Sequence, residues 1–214
     1  MSTIINSPII DTLALINQIR DYEPNLIEII FDYVFVPCSQ DRKGKHKYIR
    51  IILTPRTNTI CREAFYGNKN LEWVIIDNSI KTIGNYAFYG CSNLTHLTID
   101  NSIKTIGKSA VALCSSLTHL TIGNSIKSIG GGAFIKCSSL NDVTIPNSVK
   151  SISEWAFNGC SSLTTVNIPN SVETIGDYAF AECSSLTEAS IPSHLKSIVK
   201  ENTVFPKDTK IIVR

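Results

Sequence analysis

Residues 94–116 read LTHLTIDNSIKTIGKSAVALCSS, and the next three blocks of equal length follow without a gap: LTHLTIGNSIKSIGGGAFIKCSS (117–139), LNDVTIPNSVKSISEWAFNGCSS (140–162) and LTTVNIPNSVETIGDYAFAECSS (163–185). The unit is therefore 23 residues long. Working outward, Leu71 opens an earlier unit, Tyr48 a diverged first one, and Leu186 a last one that loses register after Ile198, which makes seven. Repeats of this length signal a solenoid, because one unit cannot bury its apolar face alone and must stack on its neighbours.

Within the unit from Leu94, the recurring apolar positions are Leu94, Leu97, Ile99, Ile103, Ile106, Ala110, Val111 and Cys114, and these are expected to point inward. Leu97 to Ile99 alternates as a short strand does, with Thr-rich neighbours suited to a pleated surface. Asn101 and Ser102 carry turn chemistry, a second short extended piece holds Ile103 and Ile106, and Gly107 marks a corner repeated at 84, 130 and 176. The AxF segment that follows, for example Ala133, Phe134 and Cys137, has spacing compatible with a single helical or 3₁₀ turn. Phe65, Phe88, Phe134, Phe157 and Phe180 are expected to form one internal aromatic column, interrupted by Val111.

Seven cysteines stand at 38, 61, 91, 114, 137, 160 and 183, and from Cys91 onward each follows the last by the repeat period. That is not the close pairing of a metal ribbon or a redox CxxC. Free, buried thiols are the expectation. The 214 residues, 43% apolar and 18% charged with a net charge of +2, suffice for a core and give no global electrostatic reason to expect nucleic acid. No apolar run is long enough to span a membrane. The N-terminus lacks the basic start of a signal peptide, so a cytoplasmic location is the default expectation.

The consensus LTxLTIxNSIKxIGxxAFxxCSS resembles the BspA-like leucine-rich repeats, a bacterial and protist class whose units pair a concave-face strand with an AFxxC segment, over residues 48–205. The resemblance implies an α/β solenoid, a right-handed leucine-rich-repeat coil, acting in binding or adhesion. Residues 1–47 are expected to form an N-terminal helical cap and basic loop, and 48–214 the solenoid with a C-terminal closing strand. Thr12–Ile19, after Asp11 as N-cap, has helical spacing, and the segment from Pro24 through Leu26, Ile27, Ile29, Ile30, Phe31 and Val34 is helix-like. PNLIEIIFDYVF vaguely resembles the opening helix of an F-box, although Gln40–Lys47 then turns polar and basic.

No nucleophile–base pair, metal motif or phosphate loop is present, so neither catalysis nor a cofactor or metal is expected. Repetition does create surface columns. The third position of each unit yields Arg50, Trp73, His96, His119, Asp142, Thr165 and Glu188, beside an inward residue and hence facing solvent. Arg50, Trp73, His96, His119 and Asp142 are the candidate contact for a protein or peptide, since exposed Trp near Arg is hot-spot chemistry. A second column, Lys81, Lys104, Lys127, Lys150, Glu173 and Lys196, reads as solvated charge, with an acidic partner as the alternative. The leading expectation is a non-enzymatic, monomeric interaction module. The alternatives are an F-box-like ubiquitin-ligase adapter and a cell-surface adhesin.

Overall fold

The computed structural model describes residues 33–37, 49–53, 58–76, 78–201 and 204–214, with the backbone alone in 33–37, 49–53 and 200–201. The repeats stack as a parallel β-solenoid of about seven turns. The second strand of each coil is the most regular element. Thr59–Ile60, Thr82–Ile83, Thr105–Ile106, Ser128–Ile129, Ser151–Ile152 and Thr174–Ile175 form one six-stranded parallel sheet, each paired with the residue 23 positions along. In every pair the Ile is buried, so the β-branched ladder is also a core ladder.

The first strands form a less continuous layer. Tyr33–Pro37, antiparallel to Ile49–Leu53, begins a five-stranded sheet that continues in parallel through Trp73–Ile76, His96–Thr98 and His119–Thr121. The sheet then stops. Residues 141–146 belong to no strand, and no backbone hydrogen bond reaches Asp142–Thr144 from either neighbour among the described residues. A three-stranded sheet restarts at Thr165–Asn167, pairs with Glu188–Ile191 and ends on Lys210–Val213. Asn141 and Asp142 account for the interruption, because both residue types are poor strand formers, whereas the adjoining coils place Thr118–His119 and Thr164–Thr165 there.

The inward columns are as the period requires. Leu94, Leu97, Ile99, Ile103, Ile106, Ala110, Val111 and Cys114 are all buried, as are their equivalents in the neighbouring coils except Leu120, which is half-buried. Phe65 and Phe88 stack at 5.1 Å between ring centroids, as do Phe134 with Phe157 and Phe157 with Phe180. Val111 fills the level between the two groups. Phe205 extends the column, 5.2 Å from Phe180, even though the chain has lost its 23-residue register by then.

The AxF segment is not the helical turn that its spacing suggests. Two residues per coil have left-handed backbone, one column being Glu63, Tyr86, Ser109, Gly132, Trp155 and Tyr178 and the other Gly67, Gly90, Leu113, Lys136, Gly159 and Glu182. As far as Trp155 and Gly159, their N–H groups and that of the residue midway between them donate to the next coil, as in Glu63 to Asn85 O, Phe65 to Ala87 O and Gly67 to Tyr89 O. The residues between them close turns on carbonyls three back, such as Ala64 on Cys61 and Tyr66 on Glu63. This alternation of inter-coil and local hydrogen bonds holds the segment without a helix, and the α/β expectation is corrected accordingly. Among the described residues, helix is confined to a 3₁₀ turn at Ser193–Leu195 and the short Lys196–Glu201 segment near the C-terminus.

At the N-terminal end, the residues from 33 to 37, including Val34 of the expected helix, are strand rather than helix. Pairing with Ile49–Leu53 supplies backbone partners that a helix would have to make internally. Thr12–Ile19, the start of the F-box-like segment and the basic run Gln40–Lys47 lie outside the described residues. The corner glycines answer a different need from the one expected. Their φ angles are ordinary, but a Cβ on Gly107 would lie 2.6 Å from the backbone of Asn85, and one on Gly176 2.3 Å from that of Glu154. Close stacking of coils therefore selects glycine there.

The cysteine column has a role beyond packing. Cys91, Cys114, Cys137, Cys160 and Cys183 are fully buried, and each thiol donates to a carbonyl one coil back at 3.1–3.3 Å: Phe65, Phe88, Val111, Phe134 and Phe157 O respectively. Cys61 is instead exposed, at the corner that holds Gly84, Gly107, Gly130, Ser153 and Gly176 in the later coils. Alkylation of the native, unreduced protein at neutral pH is therefore expected to leave all five buried thiols unmodified. The same treatment in denaturant should modify all five. Peptide mass spectrometry reads both, and native labelling of Cys137 would contradict the packing.

Candidate interaction surface

Each first strand buries alternate residues and turns the others outward, the pattern half-buried, buried, half-buried, buried running through Trp73–Ile76. Parallel pairing places Trp73 opposite His96 and His96 opposite His119. The rings follow the backbone: Trp73 stacks on His96 at 4.0 Å between centroids, and His96 on His119 at 4.1 Å with planes 4° apart. Three flat rings thus form one continuous outward pile, half-buried at Trp73 and His96 and exposed at His119.

Neighbouring threonines fix the imidazoles. Thr95 Oγ1 donates to Glu72 O and Thr118 Oγ1 to Thr95 O, so each hydroxyl has given up its only proton. The ring nitrogens beside them, His96 Nδ1 at 2.9 Å and His119 Nδ1 at 2.8 Å, must therefore be the donors. Parallel planes 4.1 Å apart do not aim two in-plane lone pairs at one ion. No group of three or more potential metal ligands occurs among the described residues.

Two of the expected site residues sit differently from the other three. Arg50 pairs with Ile75, not Trp73, because the first coil is offset by two residues from the 23-residue register. By backbone register it lies opposite Ile75, one row along from Trp73. Asp142 is exposed and follows His119 in the third-position column, yet it lies in the interrupted coil, outside any strand. Beyond it, Thr165, Glu188 and Lys210 continue a row at the C-terminal end, with Lys210 Nζ 3.7 Å from Glu188.

The lysine column is exposed, and its backbone stacks coil upon coil, Lys104 N donating to Lys81 O, Lys127 N to Lys104 O and Lys150 N to Lys127 O. Lys150 Nζ reaches Glu173 at 2.8 Å and, by that hydrogen bond, holds the carboxyl below its ordinary value. Water and salt screen such a pair, so it contributes little to folding.

A model of the BspA type leucine rich repeat region matches residues 43–137 and 112–211, in six copies. The chain belongs to the BspA-type leucine-rich repeat family. Among solved structures, this BspA-type chain is similar to a leucine-rich repeat protein from Bacteroides ovatus at 31% identity, covering 77% of this chain and 42% of that one, with a TM-score of 0.69. A leucine-rich repeat protein from Eubacterium ventriosum is also 31% identical, over 59% of this chain and 34% of that one, with a TM-score of 0.55. The leucine rich repeat protein of T. pallidum shares the fold at 21% identity, covering 86% and 79% of the two chains with a TM-score of 0.63. The chain thus spans less than half the length of the Bacteroides and Eubacterium proteins. No curated protein matches it.

BspA-type repeats are a leucine-rich-repeat scaffold, typically used for protein interaction and generally non-enzymatic. Among the described residues no helix is long and apolar enough to cross a membrane.

Proposed function

We propose that the protein is a non-enzymatic interaction module that binds a protein or peptide across its first-strand face, centred on Trp73, His96 and His119. The continuous ring pile carries this reading. Stacking immobilises the three side chains before any partner arrives, so binding loses little rotamer entropy at the contact. The exposed pile combines a broad apolar edge with outward hydrogen-bonding nitrogens, the composition that dominates protein contacts. Asp142 supplies an acidic rim on the C-terminal side, and Arg50 a cationic residue in the adjoining row on the N-terminal side. The expected partner surface presents an aromatic or aliphatic anchor flanked by charges of both signs.

Affinity purification from lysate of the source organism tests the proposal, with wild-type protein and the double variant Trp73→Ala/His96→Ala as baits. Both substituted side chains are partly solvated and outside the core, so the circular dichroism spectrum and melting temperature should be retained. Proteins recovered with the wild type are expected to be lost, or depleted at least ~10-fold, with the double variant. Equal recovery on both baits would remove the strand face from consideration.

A further inference from the structure

The left-handed column described above carries bulky aromatics where backbone conformation favours glycine. Tyr86, Trp155 and Tyr178 have φ of 58°, 61° and 59°. Trp155 and Tyr178 are 39% and 38% exposed, so core packing does not account for their presence. The left-handed backbone recurs in every coil and is held by inter-coil hydrogen bonds, so it belongs to the fold, and what varies from coil to coil is the side chain placed on it. The column is also uneven. Between Tyr86 and Trp155 it contains only Ser109 and Gly132, two coils that lack a ring.

Their small side chains open a cleft of about 480 Å³ on the AxF side of the coil, separate from the first-strand face. That volume falls within the roughly 300–1,000 Å³ of small-ligand sites. Trp155 forms one wall. Tyr178 covers one face of its indole at 4.5 Å, while the other borders the space above Gly132. Lys108, Ser109, Ser153 and Glu154 line the rest of the opening, and Gly131 and Gly132 make a flat floor. Lys108 and Glu154 form no ion pair with any described residue, so a cation and a carboxylate stand ready with opposite charges that cancel across the cleft.

We propose that this cleft binds a neutral pyranose unit of an oligosaccharide, stacked on Trp155. The axial C–H bonds of a pyranose pack against the electron-rich face of an indole. Its hydroxyls both donate and accept, matching a site that offers an ammonium, two hydroxyls and a carboxylate at the rim. The balanced charge disfavours anionic and cationic ligands alike. With coils about 4.8 Å apart, the Gly132 level leaves the thickness of one stacked ring beside Trp155.

The test is titration of the full chain with neutral hexasaccharides of glucose, mannose, galactose and N-acetylglucosamine, up to ~10 mM, followed by heteronuclear NMR. At least one is expected to bind saturably, with shifts confined to Trp155, Gly132 and their neighbours and unaffected by added salt. Trp155→Ala should weaken it ~10-fold or more. Gly132→Tyr places in this coil the residue that coils at 86 and 178 already accept with the same φ, so it should fold while a fourth ring closes the cleft and binding disappears. Trp73→Ala should bind the sugar as the wild type does. Saturable binding of none of the four, shifts elsewhere on the surface, undiminished binding by folded Gly132→Tyr, or occupation of the cleft by a proline-rich peptide instead would each overturn the proposal.

Discussion

Replacing Phe157 with alanine is expected to lower the stability of the fold by about 3–5 kcal/mol. Phe157 is fully buried and has an aromatic ring on each side, Phe134 and Phe180, both at 5.1 Å. Its backbone is fixed independently of the ring, the N–H donating to Ala179 O and the carbonyl accepting the Cys183 thiol. Coils above and below therefore cannot close over the space that a missing phenyl leaves, and cavity formation adds to the lost burial. Phe157→Val should be milder, since Val111 occupies the same column naturally. The exposed Thr165→Ala is the control, expected to shift stability by no more than about 0.5 kcal/mol. Urea unfolding followed by circular dichroism measures all three, and a Phe157→Ala loss within the control's range would contradict the stacked core.

The second large effect is alkaline unfolding. Burial pushes the Cys137 thiol from 9.0 up to about 12. Thiols in the unfolded chain ionise near 9.0, whereas this one stays protonated in the fold, so ionisation favours the unfolded state. The sign follows: its contribution is fully present below pH 9 and is lost as pH rises toward 12. At about 1.36 kcal/mol for each pKa unit, Cys137 alone removes about 4 kcal/mol across that range. The neighbouring Cys91 thiol and burial raise Cys114 as well, and it adds to the loss. Denaturant midpoints measured from pH 7 to 11 should therefore be flat at first and fall steeply above 9. Cys137→Ala, which removes the titrating group and a single thiol hydrogen bond, should be less stable at pH 7 yet show a shallower alkaline decline. An identical decline in the variant would locate the effect elsewhere.

The sequence made the repeating core legible because a solenoid converts one-dimensional period directly into spatial adjacency. Ile83 over Ile60, Phe157 over Phe134 and His119 over His96 all follow from counting 23 residues. What escaped were features outside that period or hidden by residue type. Arg50 was counted into the Trp73 column, whereas pairing in the first coil is displaced by two residues. Phe205 joins the aromatic column from 25 residues after Phe180, across the very segment where register is lost. The left-handed positions were invisible because Tyr86, Ser109 and Trp155 are not residues that announce such backbone. Inter-coil hydrogen bonds hold them there and override local preference. The Trp155 cleft was missed for the same reason, its only signal being the absence of a ring at Gly132 in a column not yet recognised as one.

The interruption at Asp142 makes the rod mechanically lopsided. One flank is laced without a break past Ser151–Ile152, while on the other the lacing ends at Thr121 and resumes at Thr165. Bending is therefore taken up at this level, with the laced flank as pivot. Flexing there changes the span between the Trp73–His119 pile and the Glu188 row, so a ligand long enough to grip both would select one curvature of the rod and stiffen it.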